Sequence, residues 1–91
     1  MEISSVDILS LHVSGLCHDC EGRQHIKTLP VLSVVQALEG SYEVSLDGGS
    51  TVSTGEGGAF IAPAGALQQI THHNGTGGVM KAQWVFLKVL I

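Results

Sequence analysis

Two cysteines and a nearby histidine have the spacing in this chain that is most typical of a metal site. The segment Cys17–Cys20 places two thiols three positions apart, and His12 and His25 lie on either side of it. Thiolates at this spacing can hold one tetrahedral zinc ion, provided that histidines complete the ligand set. A zinc site on Cys17, Cys20 and His25 is therefore a minor alternative to a surface loop with two reduced thiols.

Adjacent histidines, His72 and His73, form the second candidate group. Neighbouring side chains on a strand point to opposite faces, so these two imidazoles are not expected to share one metal ion. We expect them at the surface or at a rim, just before the Asn74-Gly75 turn. His72 is kept as a candidate ligand-binding residue. No serine-histidine-acid order around a nucleophile elbow is present, so no catalytic residue is assigned.

The charge of the chain argues against nucleic acid as a partner, and the length of its apolar segments argues against a membrane span. Four Lys and Arg residues stand against eight Asp and Glu residues, which gives a formal net charge of −4 at pH 7. Duplex binding requires a cluster of cations, and Arg23, Lys27, Lys81 and Lys88 are few and scattered. No secretory signal is recognised, and the apolar segment 79–91 is too short to span a bilayer. We expect the reducing cytoplasm as the compartment.

Twelve glycines divide the chain into short segments rich in Val, Ile and Leu, which are typical of β-strands. No helical repeat extends over three turns. We predict one all-β domain over residues 1–91, an antiparallel sandwich or barrel of seven to nine strands with little or no helix. The strands are expected at Val6–Val13, His25–Leu29, Leu32–Leu38, Tyr42–Leu46, Thr51–Thr54, Ala59–Ala62, Leu67–His72 and Val79–Leu90, with a loop at Gly15–Arg23.

One hairpin is predicted in particular detail. Tyr42–Leu46 alternates polar and apolar residues, and Asp47-Gly48 supplies the positive φ angles of a tight turn. We therefore expect Tyr42–Leu46 to pair with Thr51–Thr54.

The last strand, Val79–Leu90, is apolar on both faces from Trp84 onward. A strand of this kind needs a cover on each side, and in a small domain we expect another subunit to provide the second cover. We predict a homodimer with Trp84 or Phe86 near the contact. The chain is also expected to be a fragment or a stand-alone minimal domain.

Three segments in order carry a resemblance to a known family. Gly57–Gly65 has the spacing G-x5-P-x-G and resembles the second motif of the cupin barrels. Leu32–Gly40 resembles the cupin strand that ends in a tight turn, and Tyr42–Gly48 resembles the hairpin that follows it. The resemblance implies a cupin-like jelly-roll β-barrel.

Within the cupins, the chain is most similar to the sensor domain of AraC-type transcription regulators. The similarity is carried by Gly15–Cys17, by Gly22-Arg23 and by the Trp-x-Phe sequence of Trp84–Phe86. It implies a sensing half that binds a small molecule, such as a sugar, inside the barrel and acts through dimer contacts. The DNA-binding half of such regulators would have to be supplied by a longer protein.

The resemblance also places the positions at which metal-binding cupins have three histidines and a glutamate. These positions fall on His25, Lys27, Ser33 and Gln68, and only the first keeps a metal ligand. We therefore expect no metal or other cofactor in the barrel and no catalysis. The four residues, with His72, are predicted to line a ligand pocket. The alternatives are a metal-dependent cupin enzyme acting on a sugar or small acid, and a dimerisation module with an empty barrel.

Overall fold

The protein is built from eight β-strands, seen in a computed structural model that describes residues 5–18 and 21–90. The described residues contain no helix, and thus none that is long and apolar enough to cross a membrane. The strands are β1 (Ser5–His18), β2 (Gln24–Thr28), β3 (Leu32–Glu39), β4 (Ser41–Leu46), β5 (Val52–Thr54), β6 (Ala59–Ala62), β7 (Leu67–His73) and β8 (Val79–Leu90).

These strands form two four-stranded sheets that pack face to face. The first sheet has the order β1-β8-β3-β6 and the second has the order β2-β7-β4-β5, with antiparallel pairing between neighbours. The chain crosses repeatedly between the two sheets, as in a jelly roll. The predicted all-β antiparallel fold is confirmed.

The predicted hairpin is present. Tyr42 pairs with Thr54 and Val44 with Val52 across the β4–β5 ladder. The turn uses positive φ angles of 52° at Asp47 and 74° at Gly48, which is why an aspartate-glycine pair suits it. The Asp47 carboxylate also accepts a hydrogen bond of 2.8 Å from the Leu67 backbone N–H, which ties the turn to the start of β7.

The first strand is longer than the sequence predicts. The expected loop at Gly15–Arg23 is shorter, because β1 continues to His18 and pairs with β8 over its whole length. Gly15 lies at a register shift in this ladder, so the glycine accommodates a bulge instead of ending the strand. The continuation brings Cys17 into the sheet.

The Gly57–Gly65 segment forms the turn-strand-turn unit that the resemblance implies. Gly57 and Gly65 have φ angles of 80° and 81°, and β6 lies between them. β6 pairs with β3, with Ser33 opposite Ala62. The Gly65 N–H donates a 2.8 Å hydrogen bond to the Leu29 carbonyl, so the second turn is held against the residue that follows β2.

The hydrophobic core lies between the sheets. The first sheet contributes Val35, Ala37, Met80 and Ala82 to the core, and the second contributes Tyr42, Val44 and Ile70. The core cluster consists of Val35, Ala37, Tyr42, Val44, Ile70, Met80 and Ala82.

Candidate ligand-binding cavity

A cavity of about 250 Å³ opens between the two sheets, and five core residues form part of its wall. Both sheets contribute to it, and most of the lining is apolar or aromatic. The lining residues are Cys17, His25, Lys27, Ser33, Val35, Tyr42, Phe60, Ile70, His72, Met80, Ala82, Trp84 and Phe86.

The register between β3 and β8 builds one wall of the cavity. Ser33 lies opposite Phe86, and Val35 lies opposite Trp84. Residues directly opposite each other share a face of the sheet, and so do alternate residues along a strand. The inward face of β8 therefore carries Trp84 and Phe86 together, and β3 places a serine hydroxyl beside them.

The opposite wall comes from β2, β7 and β4 and contains a row of ring contacts. His72 on β7 is paired with Tyr42 on β4, and their ring centroids are 4.9 Å apart. The His25 ring lies 4.7 Å from His72 on its other side. Phe60 meets Tyr42 edge to face at 5.6 Å, which is within the usual range for aromatic pairs.

Two titratable rings in this wall, His72 and Tyr42, are held uncharged. Burial lowers the pKa of His72 to about 4, with smaller contributions from the positive charges of His25, Arg23, Lys27 and His73. Burial raises the pKa of Tyr42 to about 12. Near neutral pH, the His72 imidazole and the Tyr42 phenol are therefore neutral hydrogen-bonding groups.

Two buried polar side chains of the interior lack hydrogen-bond partners. Ser33 is 1 % exposed and its Oγ is unpartnered, and Gln68 is 0 % exposed with both Oε1 and Nε2 unpartnered. Ser33 lines the cavity, whereas Gln68 does not and instead lies on β7 opposite Lys27. Buried polar atoms are nearly always hydrogen-bonded, so each unpartnered one calls for an explanation.

Lys27 gives the cavity wall its positive charge. Its side chain lines the cavity from β2, at the solvent-exposed edge of the second sheet. None of the described lining residues is an acid. Among the described ion pairs, both of which belong to His73, none involves Lys27.

His73 lies outside the cavity, on the other face of β7 from His72. Its Nδ1 is 2.5 Å from Glu21 Oε2, and its Nε2 is 3.4 Å from Glu43 Oε2. The hydrogen bond to Glu21 raises the pKa of His73, and the Glu43 carboxylate adds a smaller contribution in the same direction. The same hydrogen bond lowers the pKa of Glu21. The two histidines thus occupy opposite faces, as strand geometry requires.

The side chains at the cupin metal positions do not fit a metal ion. His25 is the only good ligand of the four, and the Lys27 ammonium would repel a cation. In the part of the chain that the structure describes, no group of three His, Cys, Asp or Glu side chains could hold one either. Cys17 is disulfide-bonded, which is not the reduced thiol expected and leaves it no thiolate for zinc. Cys20 lies outside the described residues.

The structure brings together four of the five predicted ligand-binding residues. His25, Lys27, Ser33 and His72 line the cavity, and Gln68 is buried next to it. Their role in binding stays a prediction. Trp84 and Phe86, which we assigned to a dimer contact, also line the cavity, and the dimer contact itself stays a prediction.

Several wall residues were not singled out from the sequence, although strand alternation contained the signal. Met80 and Ala82 share the face of β8 that carries Trp84 and Phe86, so period-two alternation could have found them. Phe60 had no such signal, because β6 has only four residues. Sequence reasoning also missed Val35, Tyr42 and Ile70.

Comparisons with solved structures identify the architecture. The chain is similar to a Rhizobium leguminosarum protein of unknown function, with 29% identity, a TM-score of 0.65, and coverage of 80% of this chain and 66% of that one. It is similar to the Cnp3 cupin domain of Schizosaccharomyces pombe, with 16% identity, a TM-score of 0.66 and coverage of 94% and 67%. For the Clostridium difficile EutQ protein the identity is 18%, the TM-score 0.59 and the coverage 72% and 44%.

The strand order and the likeness to the Cnp3 cupin domain establish that this chain has the cupin jelly-roll fold. No protein-family model matches the sequence, and no curated protein matches it. The chain spans 66% of the length of the Rhizobium protein and 44% of EutQ. Since a fold hosts many functions, the function has to be argued from the cavity.

Proposed function

We propose that this cupin domain binds a small molecule in the cavity between its two sheets. The observation that carries the proposal is the buried, unpartnered Ser33 hydroxyl in an otherwise mostly apolar cavity of about 250 Å³. Ligand pockets typically combine apolar walls with a few convergent polar groups. The volume lies just below the range of about 300–1,000 Å³ that holds drug-sized ligands, so the ligand is small.

The proposed role of the bound molecule is to signal, as in the sensor half of an AraC-type regulator. The sequence resemblance supports this role through the segments Gly15–Cys17, Gly22-Arg23 and Trp84–Phe86. Two of these segments reach the cavity, because Cys17 at the end of β1 and Trp84 on β8 both line it. A ligand that contacts both residues would stabilise the β1–β8 ladder and change the surface it presents to a partner.

A fluorescence titration tests binding directly. Trp84 is the only tryptophan in the chain and lines the cavity, so its emission should respond to an occupant. A panel of small molecules, including monosaccharides and small acids, should contain compounds that change this emission and raise the melting temperature. Binding that stabilises the folded state must raise the apparent stability.

A cavity-filling variant separates binding in the cavity from binding elsewhere. Ala82 is 2 % exposed and lines the cavity, so Ala82→Leu should fill part of the space and abolish binding. Ala59→Leu is the matched control, because Ala59 is exposed on β6 and should leave binding unchanged. Equal binding by both folded variants would contradict the proposal.

Elemental analysis tests the alternative of a metal-dependent enzyme. The donor set does not favour it, and we predict no stoichiometric metal in the barrel of the purified protein. A one-to-one metal content that survives replacement of Cys17 and Cys20 by serine, but not replacement of His25, would favour the metal-dependent enzyme over the sensor. Metal that is lost when the two cysteines are replaced would instead identify the zinc site at Cys17 and Cys20.

The homodimer belongs to the same proposal, because a sensor of this class acts through contacts between subunits. β8 lies between β1 and β3, and its outward-facing Val85 and Leu87 are only half-buried. A second copy packed on this face would cover them. Light scattering should give the mass of a dimer, and a monomer at high protein concentration would contradict this part of the proposal.

A further inference from the structure

Positive charge is concentrated at the cavity of an otherwise acidic protein. The net formal charge is −4, yet two of the four cationic residues, Arg23 and Lys27, come from one short segment that contributes to the cavity wall. Lys27 lines the cavity, and Arg23 donates to the sulfur of Cys17, another lining residue, at 3.9 Å. Both charges contribute, after burial, to the lowered pKa of His72, which also lines the cavity.

The neighbouring acids do not neutralise this charge. Glu21 is the acid nearest to Arg23 in the described sequence, and its carboxylate is engaged by His73 on the outer face. Glu43 also faces His73. No described acid lines the cavity, so Lys27 contributes a positive charge to its wall without a described counter-charge. An anion entering an apolar enclosure beside that group would be attracted more strongly than in water.

The hydrogen-bonding groups match a compact anionic group better than a polyol. Ser33 Oγ is a donor without a partner, and the neutral His72 imidazole and the Tyr42 hydroxyl can also donate. A carboxylate accepts several such bonds at one end of a molecule. A sugar would instead leave hydroxyls unpaired against Trp84, Phe86 and the other apolar residues, and each would carry a desolvation cost.

We propose that the cavity takes a small organic carboxylate with an apolar or aromatic body. Its carboxylate lies between the Lys27 ammonium and the Ser33 hydroxyl, and its body packs against Trp84, Phe86 and Phe60. This inference rests on the proposed small-molecule binding and narrows the ligand to one chemical class. It replaces the sugar that the sequence resemblance suggested as the first choice of ligand.

Matched probes of similar shape test the charge requirement. Benzoate, phenylacetate and hexanoate are each titrated against the Trp84 fluorescence, beside their neutral amides and beside glucose and arabinose. At least one acid should bind more tightly than its amide by about tenfold or more, because a hydrogen bond to a charged group contributes about 1.5–3 kcal/mol. Added salt should weaken the binding of the acid and leave the binding of its amide unchanged.

Two lysine variants locate the charge. Lys27→Met keeps the aliphatic stem and removes the ammonium, so it should abolish the preference for the acid over its amide. Lys27→Arg should retain much of that preference. Lys88→Met is the control, because Lys88 is exposed at the far end of β8 and does not line the cavity.

The outcomes separate this inference from the proposed function. If amides or sugars bind as tightly as the acids, and Ala82→Leu abolishes that binding, the carboxylate inference is wrong and the small-molecule cavity stands. An acid preference that persists in Lys27→Met also overturns the inference. If no probe changes the Trp84 emission or the melting temperature, both proposals fail for ligands of this size.

Discussion

Replacing Gln68 by methionine is expected to stabilise the ligand-free protein. The Gln68 side chain is 0 % exposed, and neither its Oε1 nor its Nε2 has a hydrogen-bond partner. An amide buried without partners costs about 1–3 kcal/mol in mutational data. Methionine keeps the unbranched shape and similar length without the amide, so the free energy of unfolding should rise by about 1–3 kcal/mol.

Urea denaturation followed by circular dichroism measures this change. For a domain of about this size, each kcal/mol corresponds to a shift of about 4–8 °C in Tm, so thermal unfolding gives an independent reading. Gln69→Met is the matched control, because Gln69 is the next residue on β7 and is exposed. Its stability should change by less than about 0.5 kcal/mol. A loss of stability confined to Gln68→Met would refute the reasoning, since the amide would then make bonds that the fold requires.

Four further predictions follow from single positions. Gly40→Ala should destabilise the protein by more than about 2 kcal/mol, because φ is 80° and a Cβ would collide with the His73 carbonyl oxygen. Gly48→Ala is the control, because φ is 74° but the Cβ would meet open space. It should cost only about 1–2 kcal/mol in urea denaturation. Because the pKa of His73 is raised, its contribution to stability is present below pH 6.5 and is lost as the pH rises through the pKa of the folded state. His73→Gln should remove this loss from the pH profile of unfolding. The lowered pKa of His72 gives the opposite pH dependence, because the unfolded state binds the extra proton between pH 6.5 and about 4. Stability should therefore fall as the pH falls through that window. His72→Phe should flatten this part of the pH profile of unfolding. Cys17 should be unreactive in a thiol titration without reductant, and a reactive thiol there would contradict the disulfide and favour the expected cytoplasmic location.

The fold was predictable because its strongest signals are local. The Asp47-Gly48 turn needs positive φ angles at both positions, and few other dipeptides supply them. The glycines and proline of Gly57–Gly65 mark both ends of β6 in the same way. The boundary of β1 was not predictable from Gly15, because only the long-range pairing with β8 decides whether a glycine ends a strand or forms a bulge.

The cavity was predictable in part, for a similar reason. The resemblance placed His25, Lys27 and Ser33 in one interior, where they are found, whereas His72, which lines the same cavity, was expected at the surface or at a rim. It could not show that the Gln68 amide is sealed off without a partner, because burial depends on both sheets at once. Trp84 illustrates the same limit, since an apolar strand predicts burial but does not say whether a cavity or another subunit provides it.

The polar groups of the interior are more easily understood as parts of a binding site than as parts of a core. Ser33 and Gln68 are buried without partners, and His72 is held neutral by burial, so an apolar residue at each position would make the empty fold more stable. Ala82 leaves open a space that a larger side chain would fill. Ser33, His72 and Ala82 line one cavity together with Lys27, and Gln68 is buried opposite Lys27 on the neighbouring strand. Departures from the most stable packing that converge on one place are what binding requires, since a ligand must find there the hydrogen bonds and contacts that the protein has not made with itself.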